Sequence, residues 1–493
     1  MCYIYNKVGY VICLIILSVS GQEDWTFPND FIIGAATASY QIEGAWNVSD
    51  KGENLWDRYT HVQPEQIRNR DNGDIACDSY HKYKDDVLLL KKLGVDSYRF
   101  SVSWSRILPT GYANIISKDG IKFYHNLLDE LDKYNITPIL TMYHWDHPQI
   151  FQDIGGWTNE VMVDLFGEYA KILFKEFGNR VEMFITINEP SSICESGYYT
   201  GEYAPGLKIG KYAEYLCGHN VLKAHARAYH IYDSEFRLQQ QGKIGIVLDC
   251  YHFYPKNKHD HVSPEVAFQY QCGRYGHPIF SKTGDYPEVI KQRIAENSKF
   301  EGLKKSRLPS FSKEWIRYIK GTADFMGLNH YSSKLVSPAP RPNNTIYIND
   351  DGIVYSYDPK WPSTPKDTLK IVPTGFRDVL RKIKKEFRNP IIFVTENGLP
   401  DMGTLDDTLR IKYLHLYMKA MLVAVKKYKV NVKAYTVWSL LDNFEWEFGY
   451  SQKYGLFQVD FNNPNRTRMP KKSASWFSQV LRERKVLPIN SDY

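Results

Sequence analysis

The chain is expected to be α/β, a single closed parallel (β/α)8 barrel with long rim loops, on three observations. Eight short apolar segments recur from end to end, amphipathic helical stretches alternate with them, and no Gly/Ser linker, low-complexity tract or tandem repeat divides the 493 residues. Eight buried strands alternating with helices are what a TIM barrel needs, since each parallel strand requires a crossover before the next.

Short runs rich in Val, Ile, Phe and Tyr predict strands at 31–36, 97–103, 137–143, 183–187, 243–248, 324–328, 391–395 and 432–437. Helical spacing of apolar residues fills the gaps, for instance at 85–93 and 160–177. The stretches 200–215 and 332–370 carry neither period and are expected to be rim loops. The seventh strand runs into a candidate turn. Its sequence, I-I-F-V-T-E-N-G at 391–398, runs an apolar segment into the carboxylate of Glu396, with Asn397-Gly398 read as turn chemistry.

The N-terminus differs from the rest. Lys7 precedes an apolar run from Val8 to Val19, with small residues at Ser18, Ser20 and Gly21. A signal peptide over 1–21 is expected, leaving 22–493 as the mature barrel; the rival, an uncleaved anchor, is short of the ~20 residues a span needs. The expected product is a secreted protein, extracellular or in a gut lumen, with no membrane partner in its mature form. Sequons at Asn47, Asn135, Asn343 and Asn465 are then glycosylation candidates. Cys2 and Cys13 leave with the leader, and Cys77, Cys194, Cys217, Cys250 and Cys272 remain. That odd number leaves at least one thiol free or paired between chains, and the irregular spacing argues against a zinc site or a disulfide scaffold.

Composition excludes several partners. A net charge of +6 is small beside 62 basic and 56 acidic residues, and the bases are scattered, so no nucleic acid is expected. No Gly-rich phosphate motif occurs, so no cofactor is expected. His144-Trp145-Asp146-His147 gathers metal-ligand types, but no H-x-H or H-E-x-x-H accompanies it and no metal is expected. A homo-oligomer is left open. Aromatics reach 15% of the chain, which suits either an aromatic core or flat faces stacked on a ligand.

In such barrels the chemistry sits where the strands end. The predicted ends hold Gln41 and Glu43, Arg99 and Trp104, His144-Trp145-Asp146, Asn188-Glu189-Pro190, Asn329-His330-Tyr331, Glu396-Asn397, and Trp438 with Glu445-Trp446 beyond it. Glu189 and Glu396 would face each other across the opening. Two such carboxyls cleave glycosidic bonds, with retention at about 5–5.5 Å separation and inversion at about 6.5–9.5 Å. If Arg99 points inward it keeps Glu396 ionised as nucleophile, and Glu189, lacking a cation, serves as proton donor.

T-I-N-E-P (186–190), V-T-E-N-G (394–398), R-F-S-V-S-W (99–104), M-Y-H-W-D (142–146), S-L-L-D-N-F-E-W (439–446) and F-I-I-G-A-A-T-A-S-Y-Q-I-E-G (31–44) resemble, in order, the motifs of glycoside hydrolase family 1, the β-glucosidase family. The resemblance implies a retaining glycosidase acting on a small-molecule β-glucoside, with Glu189 as acid/base, Glu396 as nucleophile and Arg99 supporting it. It implies a sugar site of Gln41, His144, Asn188, Asn329, Tyr331, Trp438, Glu445 and Trp446. Aglycone candidates are Glu195, Lys334, Trp361 and Thr368. Thr368 stands where the family often has a Trp, and Glu195 lies in an unusual segment after Glu189. The nearest resemblance is to animal, insect-like enzymes, some of which are thioglucosidases (myrosinases) using basic residues for a sulfated aglycone. Lys334 fits that pattern and Glu195 opposes it, so an O-β-glucosidase is the first expectation and a thioglucosidase the second. A sugar- or receptor-binding barrel without catalysis is disfavoured, because both glutamates are present.

Overall fold

The structure is a computed structural model that describes residues 24–489 apart from 342–346, 348 and 367. The expected leader and the Asn343 sequon lie outside the described residues. Eight strands, β1 (Ile32–Ala36), β2 (Ser97–Ser101), β3 (Thr137–Tyr143), β4 (Met183–Asn188), β5 (Lys243–Asp249), β6 (Phe325–Asn329), β7 (Ile392–Asn397) and β8 (Val432–Trp438), close into one barrel in chain order. Every neighbouring pair is parallel, and β1 pairs with both β2 and β8.

The helices form because their apolar residues repeat on one face. In the helix Pro373–Glu386, Pro occupies the first turn, where its missing N–H costs nothing, and Phe376, Val379, Leu380 and Ile383 are buried at helical spacing. Inside the barrel, Ile139, Met183, Ile185, Val247, Phe325, Phe393 and Ala434 form a separate apolar plug, with Phe325 and Phe393 stacked at 4.6 Å. Polar side chains from the later positions of the strands stand beyond this plug.

Three sequence expectations are corrected. Segment 332–370 is not a plain loop: Ser333–Pro338 and Ile353–Ser356 join His252–Pro255 in a three-stranded sheet on the rim. Segment 200–215 ends in the first residues of the long helix Lys211–Glu235. Strand β2 stops at Ser101, and Trp104 begins a short helix where its ring stacks on Tyr169 at 4.5 Å, away from the rim. Two disulfides form, Cys194–Cys217 and Cys250–Cys272, with Cys77 free and buried among the described residues. Spacing missed them because each joins a strand-end segment to a helix packed beside it.

Candidate active site

Glu396 is part of β7, whose six residues are all buried. Arg99 Nη1 donates to Glu396 Oε1 at 2.6 Å, and Tyr331 Oη donates to Oε2 at 2.5 Å. The guanidinium is itself fixed, with Nε on Thr141 Oγ1 at 3.1 Å and Nη2 on Asn188 Oδ1 at 2.7 Å. Asn397-Gly398 is not the expected turn. Asn397 completes the strand, donating to His330 O at 2.6 Å and accepting from Tyr435 Oη at 2.7 Å. Gly398 is required because a Cβ there would lie 1.9 Å from Trp438 O.

Glu189 follows β4 with left-handed backbone angles, φ 46° and ψ 74°, just before Pro190 opens a helical turn. A non-glycine residue there carries local strain, held by the buried strand on one side and the turn on the other. Asn329 Nδ2 donates to Oε1 at 2.6 Å and Ser192 Oγ to Oε2 at 2.7 Å. No cation pairs with Glu189 among the described residues. Burial, then the charges of Asp249 and Glu396, push its carboxyl well above the usual carboxylate range, against the two hydrogen bonds.

Both carboxyls line one cavity of about 340 Å³, with His144, Asn329, Tyr331, Trp438, Glu445 and Trp446 on the same wall. His144 is held neutral by burial and by Arg99, and its ring lies nearly parallel to those of Trp438 and Trp446, 5.9 Å from each. Asn188 sits just behind the wall, bridging Arg99 to His144 and Asn329. Gln41 donates through Nε2 to Asn443 Oδ1, Phe444 O and Glu445 Oε2, and its Oε1 has no partner. Burial pushes Glu445 up to about 8, opposed by Lys366.

Residues 23–486 match the family described as Glycosyl hydrolase family 1. The chain belongs to glycosyl hydrolase family 1. It is 49% identical to "Myrosinase 1" of Brevicoryne brassicae, over 93% of this chain and 99% of that one. It is 40% identical to the "Cytosolic beta-glucosidase" of Cavia porcellus, over 92% and 98%. The solved structure titled "Aphid myrosinase" superposes with a TM-score of 0.90 at 48% identity, over 94% of this chain and all of that one. The protein is therefore an animal-type family 1 glycosidase.

The remaining residues of this family 1 glycosidase divide at the cavity mouth. Lys334 and Thr368 line it; Glu195 and Trp361 do not. Glu195 is exposed in the helical segment after Glu189, and Trp361 packs edge-on against Tyr254 at 6.0 Å. Lys334 Nζ stands over the Tyr251 ring at 4.6 Å and has no acidic partner within ion-pair range among the described residues. Glu43, expected on the rim, pairs instead with Arg106 at 2.9 Å and Tyr124 at 2.6 Å. His147 is a buried packing residue, hydrogen-bonded to Tyr143 at 3.0 Å, and the described residues hold no metal-binding cluster. The sequence reading missed Ser192, Asp249, Tyr251, Tyr357 and Lys366, all on the wall. Asp249 was findable, since it ends the fifth strand. Tyr357 and Lys366 come from the long rim segment and carried no signal.

Proposed function

We propose that the protein is a retaining β-glucosidase that hydrolyses terminal β-D-glucosides of plant origin. The carrying observation is the unequal furnishing of two carboxyls on one cavity: Glu396 is paired with Arg99 at 2.6 Å, and Glu189 has no cation and is pushed toward protonation. Glu396 attacks the anomeric carbon, the bond to the leaving oxygen breaks, and Glu189 gives that oxygen its proton. Glu189, now a carboxylate, takes a proton from water; the water attacks the same carbon and releases Glu396. His144 and Glu445 supply hydrogen bonds to sugar hydroxyls, held from behind by Asn188 and Gln41, and Trp438 gives the ring an apolar face. The test is E396A on an aryl β-glucoside, with the product anomer followed by NMR in the wild type. Loss of turnover and a first-formed β-anomer are expected; near-normal E396A turnover or a first-formed α-anomer refutes the reading.

Thioglucosidase activity is the second reading, favoured by the 49% identity to the aphid myrosinase and by Lys334 at the cavity mouth. A sulfur leaving group needs little protonation, so Glu189 does not decide between the two. Comparing a glucosinolate with an aryl O-glucoside does, and a strong excess for the glucosinolate reverses the order.

Secretion and glycosylation complete the proposal. Two disulfides suit an oxidising compartment, and Asn47, Asn135 and Asn465 are exposed. No described helix is long and apolar enough to cross a membrane. Expression in insect cells should give medium-borne protein starting near residue 22 whose mass falls on deglycosylation; retention in the cell pellet refutes it.

A further inference from the structure

Asp249 ends β5 and enters the same cavity as Glu189. Backbone pairing puts it there. The Glu189 N–H donates to Val247 O at 3.0 Å, and Asp249 is in register with Asn329, whose amide holds Glu189 Oε1. Its own partners are neutral: Ser191 Oγ donates to Oδ1, and Gln271 Nε2 donates to Oδ2 at 2.9 Å. Ser191 belongs to the turn that carries Glu189. Gln271 is clamped, because the next residues along, Cys250 and Cys272, form a disulfide and the Tyr251 N–H donates to Gln271 Oε1 at 3.0 Å. No cation pairs with Asp249 among the described residues.

We propose that Asp249 is a positioning residue for the proton donor, a fixed carboxylate without an ion-pair partner, in the same cavity as Glu189, that makes the donor keep its proton until a glycosidic oxygen takes it. This rests on the acid/base assignment of Glu189 above. A like charge in the same partly desolvated cavity disfavours ionisation. Four carboxyls line the cavity, Glu189, Asp249, Glu396 and Glu445, and their counter-charges differ. Arg99 balances Glu396 at 2.6 Å, so its repulsion of Glu189 is blunted; Asp249 has no ion-pair partner among the described residues, and after burial its charge is the largest influence raising Glu189. Burial pushes Asp249 up to about 6, so it is ionised on the alkaline side, where the donor proton is most at risk. Of the other groups around Glu189 and Asp249, His144 is buried and neutral, Tyr331 is bonded to Glu396, Tyr251 is a buried phenol, and the charges of Lys334 and Glu195 act on Asp249 with opposite signs. The same charge makes the Glu189 carboxylate a stronger base toward water in the second step.

The test is the alkaline limb of kcat/KM for octyl β-D-glucoside, a substrate with a poor leaving group, in wild type, D249N and D249E. The limb is a property of the interacting carboxyls together. D249N should move it about one pH unit lower, and D249E, which restores the charge, should return it toward the wild-type position. At pH 8 the D249N loss should be larger for the octyl glucoside than for a nitrophenyl glucoside. An unmoved limb in D249N, or equal losses in D249N and D249E with the limb unmoved, overturns the proposal. E189A, assayed on the nitrophenyl glucoside with azide, separates the two readings. If its alkaline limb vanishes and D249N's is unmoved, Asp249 alone fails. If the wild-type limb survives in E189A, the Glu189 assignment fails and takes the proposal with it.

Discussion

Arg99 on β2 and Glu396 on β7 meet inside the barrel at 2.6 Å, with 1% and 4% of their surfaces exposed. A buried pair contributes little over an apolar replacement, but removing one partner leaves a charge stranded. R99M should cost about 3–5 kcal/mol of stability and lower kcat at least about 100-fold. R99K should not rescue it, because a lysine lacks the fork that reaches Asn188 and Thr141 as well. Thermal unfolding and steady-state kinetics on an aryl glucoside check both.

Glu189 bears on leaving groups unequally. E189Q should lower turnover of an alkyl β-glucoside by about 10²–10⁴-fold, the usual range for a lost general acid. A nitrophenyl glucoside should suffer less in the glycosylation step, visible as a burst of nitrophenol ahead of slow steady-state release. Equal losses for both substrates would refute the proton-donor role.

Glu445 trades stability for binding. Its carboxyl is pushed up to about 8 by burial, from about 4.3 in an unfolded chain. The folded state therefore holds more protons between those values. Its contribution to stability is full below the unfolded value and is lost as pH rises through about 8. E445Q removes this titration, so its Tm should gain on the wild type as pH rises from 5 to 8. KM for glucosides should rise about 10- to 100-fold from lost hydrogen bonds. Differential scanning calorimetry across pH, with KM at pH 6, reads both.

Lys334 offers a discriminating measurement. Burial lowers its pKa, opposed by Glu195 and Asp249, yet it faces the cavity mouth without an ion-pair partner among the described residues. If a sulfated aglycone is a substrate, K334A should lower the ratio of glucosinolate to O-glucoside kcat/KM by about tenfold or more. A ratio unchanged by K334A would remove this lysine from aglycone selection.

The two disulfides close loops of 23 and 22 residues. Each should stabilise by roughly 3 kcal/mol through the unfolded chain. C194S/C217S should lower Tm measurably, and reductant should lower the wild-type Tm more than that of the variant.

Strand positions were legible because burial imprints itself locally: 137–143 matches β3 to the residue, and the other seven differ by one or two. From eight parallel strands the location of the site followed, since their carboxyl ends must share one rim. Glu189 and Glu396 were readable for that reason, and so were the wall positions of His144, Tyr331 and Trp438.

Other features were not local. Whether a carboxylate receives a cation depends on side chains from strands far apart in the chain, as with Arg99, Asn188 and Glu396. Glu43 and Trp104 followed predicted strands yet turned into packing, where Arg106 and Tyr169 wait for them. Lys366 and Tyr357 reach the cavity only because the rim segment folds back over it. Strand periodicity thus located the two carboxyls on one rim. The protonation of each carboxyl, and the chemistry of the cavity mouth, arose from burial and charge contacts that form only when the barrel closes.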